Sequence, residues 1–180
     1  MTASDRRHDL VQRIAAHLLE HGLEGASLRP MAAAAGTSDR MLLYYFPDRE
    51  AVLAAALQHV AAEMAAGLEA VVPPTPLPFA ELLARLHAAV RTPAFGRYMH
   101  LFLEIAARSA RYEKPYRTIG EAIGRGFLAW AETRLAVTRE QDRAPQAALL
   151  LATLDGLALL DSVGLTEEAD GATAVGLRRW

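Results

Sequence analysis

The chain has 180 residues and a mass of 19.5 kDa, room for one ordinary domain or a small domain joined to a larger one. Apolar residues make up 52 % and charged residues 22 %, which excludes wholesale disorder, and the absence of cysteine excludes disulfide scaffolds, thiol catalysis and Cys-ligated zinc. The formal net charge is −2 and the pI about 6.3, so the bulk positive charge of many nucleic-acid binders is missing, although a small basic patch is compatible with this balance. No long apolar window runs free of charge. The best, Ala147–Val163, contains Asp155 and Asp161, so no membrane span is expected. The first nine residues, MTASDRRHD, show no apolar signal core, and the expected compartment is the cytoplasm. Lys114 is the only lysine among 19 basic residues, and alanine is abundant; this skew points to a GC-rich coding sequence and hence a bacterium.

Helix formers dominate and no hairpin signal is present, so the expected fold class is all-α. Ser4 is the expected cap of a first helix whose apolar stripe is Leu10, Val11, Ile14 and Leu18, ended by Gly22. Ser27 caps a second helix, Leu28–Ala35, ended by Gly36. Thr37 or Ser38 caps a third that runs to about Tyr45 and is broken by Phe46-Pro47. Asp48 caps a long fourth helix, Arg49–Val71, which the segment VPPTPLP at 72–78 stops. Further helices are expected over Phe79–Arg91, Ala94–Ala110, Tyr116–Val137 and Pro145–Val163, three of them with a proline near the start. The polar, Gly-containing tail from Thr166 reads as a frayed end.

Residues 27–49 carry the chemistry. Two short helices flank Gly36, with Ala32 four residues earlier on the inner face. A steep helix crossing on so tight a turn needs a small residue where the backbones approach and a residue tolerant of positive φ in the turn. Met31, Ala35 and Leu42 can fill the wedge. This is helix-turn-helix logic, in which the helix after the turn enters the DNA major groove. An ordinary helical hairpin with a glycine turn has the same periodicity.

The order of residues separates the two readings. GLEGASLR at 22–29, then AAGTS at 34–38, then LLYYFPDRE at 42–50 and a long apolar helix closely resemble the DNA-binding domain of the tetracycline-repressor (TetR) family of bacterial transcription regulators. The likeness covers about 50 residues. It departs at Leu43, where an aromatic is common, and at Tyr45, where His is common; Arg49 keeps the charge of a common Lys. The resemblance implies a helix-turn-helix DNA-binding domain at residues 1–47 and a helical ligand-binding and dimerisation domain at 48–180. It also implies a homodimer on a palindromic operator of double-stranded DNA, with repression relieved by a small molecule that shifts the fourth helix.

Roles follow from side-chain chemistry. Ser27 and Arg29, at the start of the second helix, suit a phosphate. Thr37 and Ser38 can donate to phosphate or a base edge. Arg40 is the best direct reader, because a guanidinium pairs bidentately with guanine. Asp39 either caps the helix or accepts from a cytosine amino group. Tyr44 and Tyr45 reach backbone oxygens with their hydroxyls, and Arg49 neutralises a flanking phosphate. Residues 1–50 hold six Arg against seven Asp and Glu, so affinity must come from placement rather than net charge.

In the remainder, Tyr98, Met99, Phe102, Phe127 and Trp130 are bulky groups at near-helical spacing. They are either core or the lining of a site for a small apolar or amphipathic effector, with Glu104, Arg108, His87 and His100 as candidate orienting groups. Gly120, Gly124 and Gly156 weaken helices and mark close approach. Together with Leu151, Leu154 and Ala158 they form the candidate dimer face. His17 and His21 are four apart, but two ligands do not make a metal site, and no metal or cofactor is expected. The other reading is an all-helical small-molecule-binding protein or enzyme without DNA binding. It is weakened by the lack of a nucleophile–base pair or paired carboxylates, so no enzymatic activity is expected.

Overall fold

The computed structural model describes residues 2–179, with side chains through Val175. The chain divides into two compact units: Met1–Met64 with His100–Glu121, and Ala65–Met99 with Ala122–Trp180. Apart from a single parallel bridge between Leu77 and Leu135, the described elements are helical.

Helix α1 is Ala3–His21. Its cap is Thr2, not Ser4. Thr2 Oγ1 accepts from the Asp5 N–H at 3.1 Å, and Asp5 Oδ2 accepts from the Thr2 N–H at 2.8 Å. This reciprocal pair satisfies two donors at once, which a lone serine further along the chain cannot do. Leu10, Val11, Ile14, Ala15 and Leu18 form the buried face. Gly22, at φ +64°, ends α1, and a 3₁₀ turn over Gly22–Gly25 follows it.

Helix α2 is Leu28–Ala34 and α3 is Asp39–Tyr45. Gly36 sits between them at φ +63°. The Thr37 N–H donates to the Ala32 carbonyl at 2.9 Å and the Gly36 N–H to the Ala33 carbonyl at 3.0 Å. That pair of bonds is a Schellman motif, which closes α2 and turns the chain sharply. Ser38 caps α3, its Oγ accepting from the Met41 N–H at 3.3 Å. Met31, Ala32, Ala35 and Leu42 are fully buried in the wedge. Phe46 is buried as well, with the Arg7 guanidinium 4.6 Å from its ring centre. Helix α4, Arg49–Val71, starts where Asp48 Oδ1 accepts from the Ala51 N–H at 2.8 Å.

The second unit holds the proline segment, α5 (Phe79–Val90), α8 (Arg143–Ser162) and α9 (Thr166–Arg179); α6 (Pro93–Ala110) and α7 (Tyr116–Arg134) each contribute to both units. Helix α7 stops three residues short of the Val137 expected from sequence. The Leu77 N–H donates to the Arg134 carbonyl, the Ala136 N–H donates to the Leu77 carbonyl, both at 2.8 Å, and this exchange replaces the last helical turn. Arg143 then donates to the carbonyls of Glu132 (2.8 Å) and Leu135 (2.9 Å), so α8 begins at Arg143 with Pro145 still in the first turn.

The segment from Thr166 is a helix, not a frayed end. Gly164, at φ +84°, ends α8, and α9 packs back on α5 and α8. Arg91 is the fastener: it binds both oxygens of Asp161, at 2.8 and 2.7 Å, the Asp170 carboxylate and the Thr166 carbonyl. Ala169 is completely buried, and Thr173 Oγ1 lies 2.9 Å from Nδ1 of the buried His87. Trp180 lies outside the described residues.

Candidate nucleic-acid interface

The Schellman turn fixes the orientation of α3, and the buried Leu42 fixes its rotation. Everything on the opposite side of α3 therefore faces outward. Asp39, Arg40, Met41, Leu43 and Tyr44 are exposed, Tyr44 to 76 %, with Tyr45 half-buried behind it and the two rings edge-on at 5.1 Å. The Arg40 and Asp39 side chains have no hydrogen-bond or ion-pair partner among the described residues, so the guanidinium is not held by its acidic neighbour. Asp39 is not the cap, because Ser38 takes that place.

Ser27 and Arg29 are exposed at the start of α2. Ser27 occupies the cap position without a side-chain cap bond, which leaves its hydroxyl and the first N–H groups of the helix facing solvent. Thr37 is half-buried at the turn. Arg49 is half-buried, and its Nη1 donates to the Ala26 carbonyl at 2.8 Å, bracing the segment that leads into α2. A guanidinium has five donors, so this bond leaves others for a phosphate.

Sequence reading missed Arg13. Its Nη1 lies 3.7 Å from where a β-carbon on Gly36 would stand, beside the turn itself, and Asp9 holds it at 3.0 Å. Asp9 and Arg13 are four apart on α1, a pair visible in the sequence, but only the fold shows that they border the turn.

The aromatic candidates are partly brought together. Phe127 and Trp130 pair at 5.6 Å between ring centres, and Trp130 donates its indole N–H to Glu69 at 2.7 Å. Tyr98 is half-buried, 6.2 Å from Phe95, and Met99 is buried; these four candidates belong to the second unit. Phe102 is half-buried in the first unit. The expected orienting groups are largely committed elsewhere. Glu104 accepts from the Leu23 N–H at 2.7 Å, Arg108 pairs with Glu113 at 3.1 Å, and His87 is bonded to Thr173; of the four, only His100 is exposed. His17 and His21 stack at 4.6 Å, and no group of three metal-ligating side chains occurs among the described residues.

The candidate dimer face needs correction. Leu154 and Ala158 are buried inside their own chain, and Leu151 is half-buried. A β-carbon on Gly120 would sit 3.4 Å from Ser109 Oγ and 3.5 Å from Ile105, so that glycine serves the approach of α6 to α7 within one chain. Gly124 and Gly156 have open space around them. The outward face of α8 is a different set: Pro145, Leu149, Ala152, Gly156, Leu159 and then Val163, all exposed. Their spacing of four, three, four, three and four is a heptad seam, which periodicity alone could have shown. Arg49–Val71 and Glu140–Ser162 have the length and hydropathy of a membrane span, and in the second that apolar surplus is this outward seam.

An N-terminal three-helix unit with a Schellman-closed turn and an outward, unencumbered arginine defines a helix-turn-helix DNA-binding protein. Residues 11–56 match the family model described as bacterial regulatory proteins, tetR family. The whole chain superposes on a transcriptional regulator from Rhodococcus sp. Rha1 with TM-score 0.69 and 25 % identity, covering 95 % of this chain and 93 % of that one. A protein described as a TetR-family transcriptional regulator from Rhodococcus sp. gives TM-score 0.71 at 22 % identity, covering 97 % and 95 %. A transcriptional regulator from Saccharomonospora viridis, in complex with choline, gives 0.65 at 19 %, covering 98 % and 97 %. No curated protein sequence matches. Residues 11–56 thus carry the match to the tetR-family DNA-binding domain, and the fold of the whole chain is that of these transcriptional regulators.

Proposed function

We propose that the chain works in the cytoplasm as a homodimeric repressor that binds a near-palindromic operator and leaves it when a small molecule binds. The observation that carries this reading is the outward side of α3. It presents Ser38, Arg40 and Tyr44 from a helix whose orientation the Gly36 turn fixes. Arg40 reads guanine in the major groove. Ser27, Arg29, Thr37, Tyr45, Arg49 and Arg13 hold phosphates on either side, and Asp39 accepts from a cytosine amino group. A two-fold dimer presents two copies of α3, so its operator repeats the half-site in inverted orientation.

The seam on α8 supports the dimer. A heptad stripe of small and apolar residues facing solvent buries itself against its two-fold copy, with Ala152 and Gly156 permitting close approach. On this reading residues 1–47 bind the DNA and residues 48–180 bind the ligand and the partner. Tyr98, Met99, Phe127 and Trp130, all of the second unit, are the groups from which an apolar or amphipathic effector site is built. The choline held by the Saccharomonospora viridis relative makes a quaternary ammonium a reasonable first probe.

The test is a gel shift with the DNA upstream of the protein's own gene, competed with unrelated DNA. A shift that resists the competitor supports the reading, and equal competition by both DNAs overturns sequence-specific binding. Adding choline, or a short alkyl alcohol as an uncharged probe, then asks which chemistry releases the complex.

A further inference from the structure

The segment from Gly22 to Ala26 joins α1 to α2, and three side chains grip it. Glu104 Oε2 accepts from the Leu23 N–H at 2.7 Å. His17 Nε2 lies 2.7 Å from where a β-carbon on Gly25 would stand, and Arg49 holds the Ala26 carbonyl at 2.8 Å. Two glycines occur where the grip is tightest. A β-carbon on Gly22 would lie 2.4 Å from Glu104 Oε1 and 3.0 Å from its other oxygen, and Gly22 is already at φ +64°. Real contacts do not come so close. The backbone here is shaped around the carboxylate of Glu104, and an alanine would displace it. His17 and Arg49 come from the helices adjoining this segment, α1 and α4. Glu104 is different, because α6 carries it from 81 residues away in sequence.

We propose that Glu104 is a positioning residue for operator binding, resting on the reading that α2 and α3 bind DNA. Its carboxylate seats the first N–H after the α1–Gly22 turn and so sets where Ser27 and Arg29, at the start of α2, meet phosphate. Ser27 makes no side-chain cap bond, so its own hydroxyl does not fix the first turn of α2. The hydrogen bond to a charged acceptor is strong and directional, and its length tolerates little displacement. A shift of α6 along its own axis by about one residue's rise, ~1.5 Å, takes the carboxylate out of bonding range. The start of α2 thus depends on where the Glu104 carboxylate stands.

The experiment separates reach from charge. Glu104→Gln keeps the length and an acceptor oxygen but loses the charge, and Glu104→Asp keeps the charge but falls one methylene short. Each full-length variant is titrated against the DNA that the wild-type chain shifts, and amide hydrogen exchange is read at Leu23. The expected order is Glu104→Gln within about threefold of wild type and Glu104→Asp about tenfold weaker, with faster exchange at Leu23 only in the Asp variant. Equal affinity and exchange in both variants, or the reverse order, overturns the proposal. A wild-type chain that shifts no DNA strikes the regulator reading instead, and the order of Leu23 exchange still decides whether Glu104 seats this turn.

Discussion

Arg40 and Arg49 are both proposed DNA contacts, and their surroundings in the structure differ. Arg40 is exposed and unpartnered, so its substitution removes a base contact and little else. Arg40→Ala is expected to cost about 1–3 kcal/mol on the operator and to flatten discrimination at one base pair, read by titration against operator and scrambled DNA. Arg49 also braces the Ala26 carbonyl. Arg49→Ala is therefore expected to weaken all DNAs alike, to lower the salt slope by about 1 per subunit, and to lower stability as well. Equal losses for Arg40→Ala on both DNAs would make Arg40 a phosphate contact. Gly36 is a third single-residue test. A β-carbon there meets only Arg13 at 3.7 Å, so the penalty of Gly36→Ala is conformational, about 1–2 kcal/mol by denaturant unfolding, with Gly36→Asn losing less. The turn and the cap were legible in the sequence because each depends on its neighbours in the chain: a glycine between two helices, a serine before the second of them. The places of Glu104 beside Leu23 and of Arg13 beside Gly36 were not legible, since these partners arrive through tertiary folding. Leu154 and Ala158 were misread for a related reason. Helix α8 is apolar around most of its circumference, so spacing shows that faces exist but not which one the chain itself covers.

At the scale of elements, α5, α8 and α9 are joined through one buried histidine and one ion-pair cluster. Burial, and then the positive charge of Arg91, pushes the His87 imidazole below its ordinary 6.5, against the pull of Asp161 and Asp170. Burial pushes the Asp155 carboxyl on α8 up to about 6. The two groups act in opposite directions. His87 binds fewer protons folded than unfolded, so its contribution is present above pH 6.5 and is lost as pH falls through that value. Asp155 binds more protons folded, so its contribution is full below 3.8 and is lost as pH rises through about 6. Just below pH 6.5 the two changes run against one another. Asp155→Asn is expected to stabilise the protein by about 1–2 kcal/mol at pH 7, discounted for its remaining solvent contact, and to leave a stability that falls as the solution is acidified from about pH 7 to 5. Melting curves across that range check it; a variant with the wild-type pH profile would show that Asp155 is not held protonated. The existence of α9 was the element least visible in sequence. Its polar, glycine-containing composition argues against a helix, and what holds it is Arg91, 75 residues before Thr166.

Over the whole molecule, a net charge of −2 leaves little non-specific attraction to DNA, so occupancy depends on two recognition helices being presented together. On the proposed reading, dimerisation is then a condition of function. Ala152→Glu, on the outward seam of α8, is expected to yield a folded monomer of 19.5 kDa by light scattering and to abolish the gel shift at concentrations where the wild type binds. Leu154→Glu, on the buried side of the same helix, is expected to unfold the chain instead. A variant at Ala152 that stays dimeric would move the interface elsewhere. The proline segment at 72–78 imposes a different condition. Leu77 exchanges backbone hydrogen bonds with Arg134 and Ala136, so the chain between α4 and α5 is pinned at that one residue against the end of α7. Surface connections of this length ordinarily accept insertions freely. Here an added residue before Leu77 either loops out or slips the pairing by one, exchanging which side of the extended segment Leu77 presents. Homologues of this chain should therefore vary in the identity of the residues at 72–76 far more than in their number.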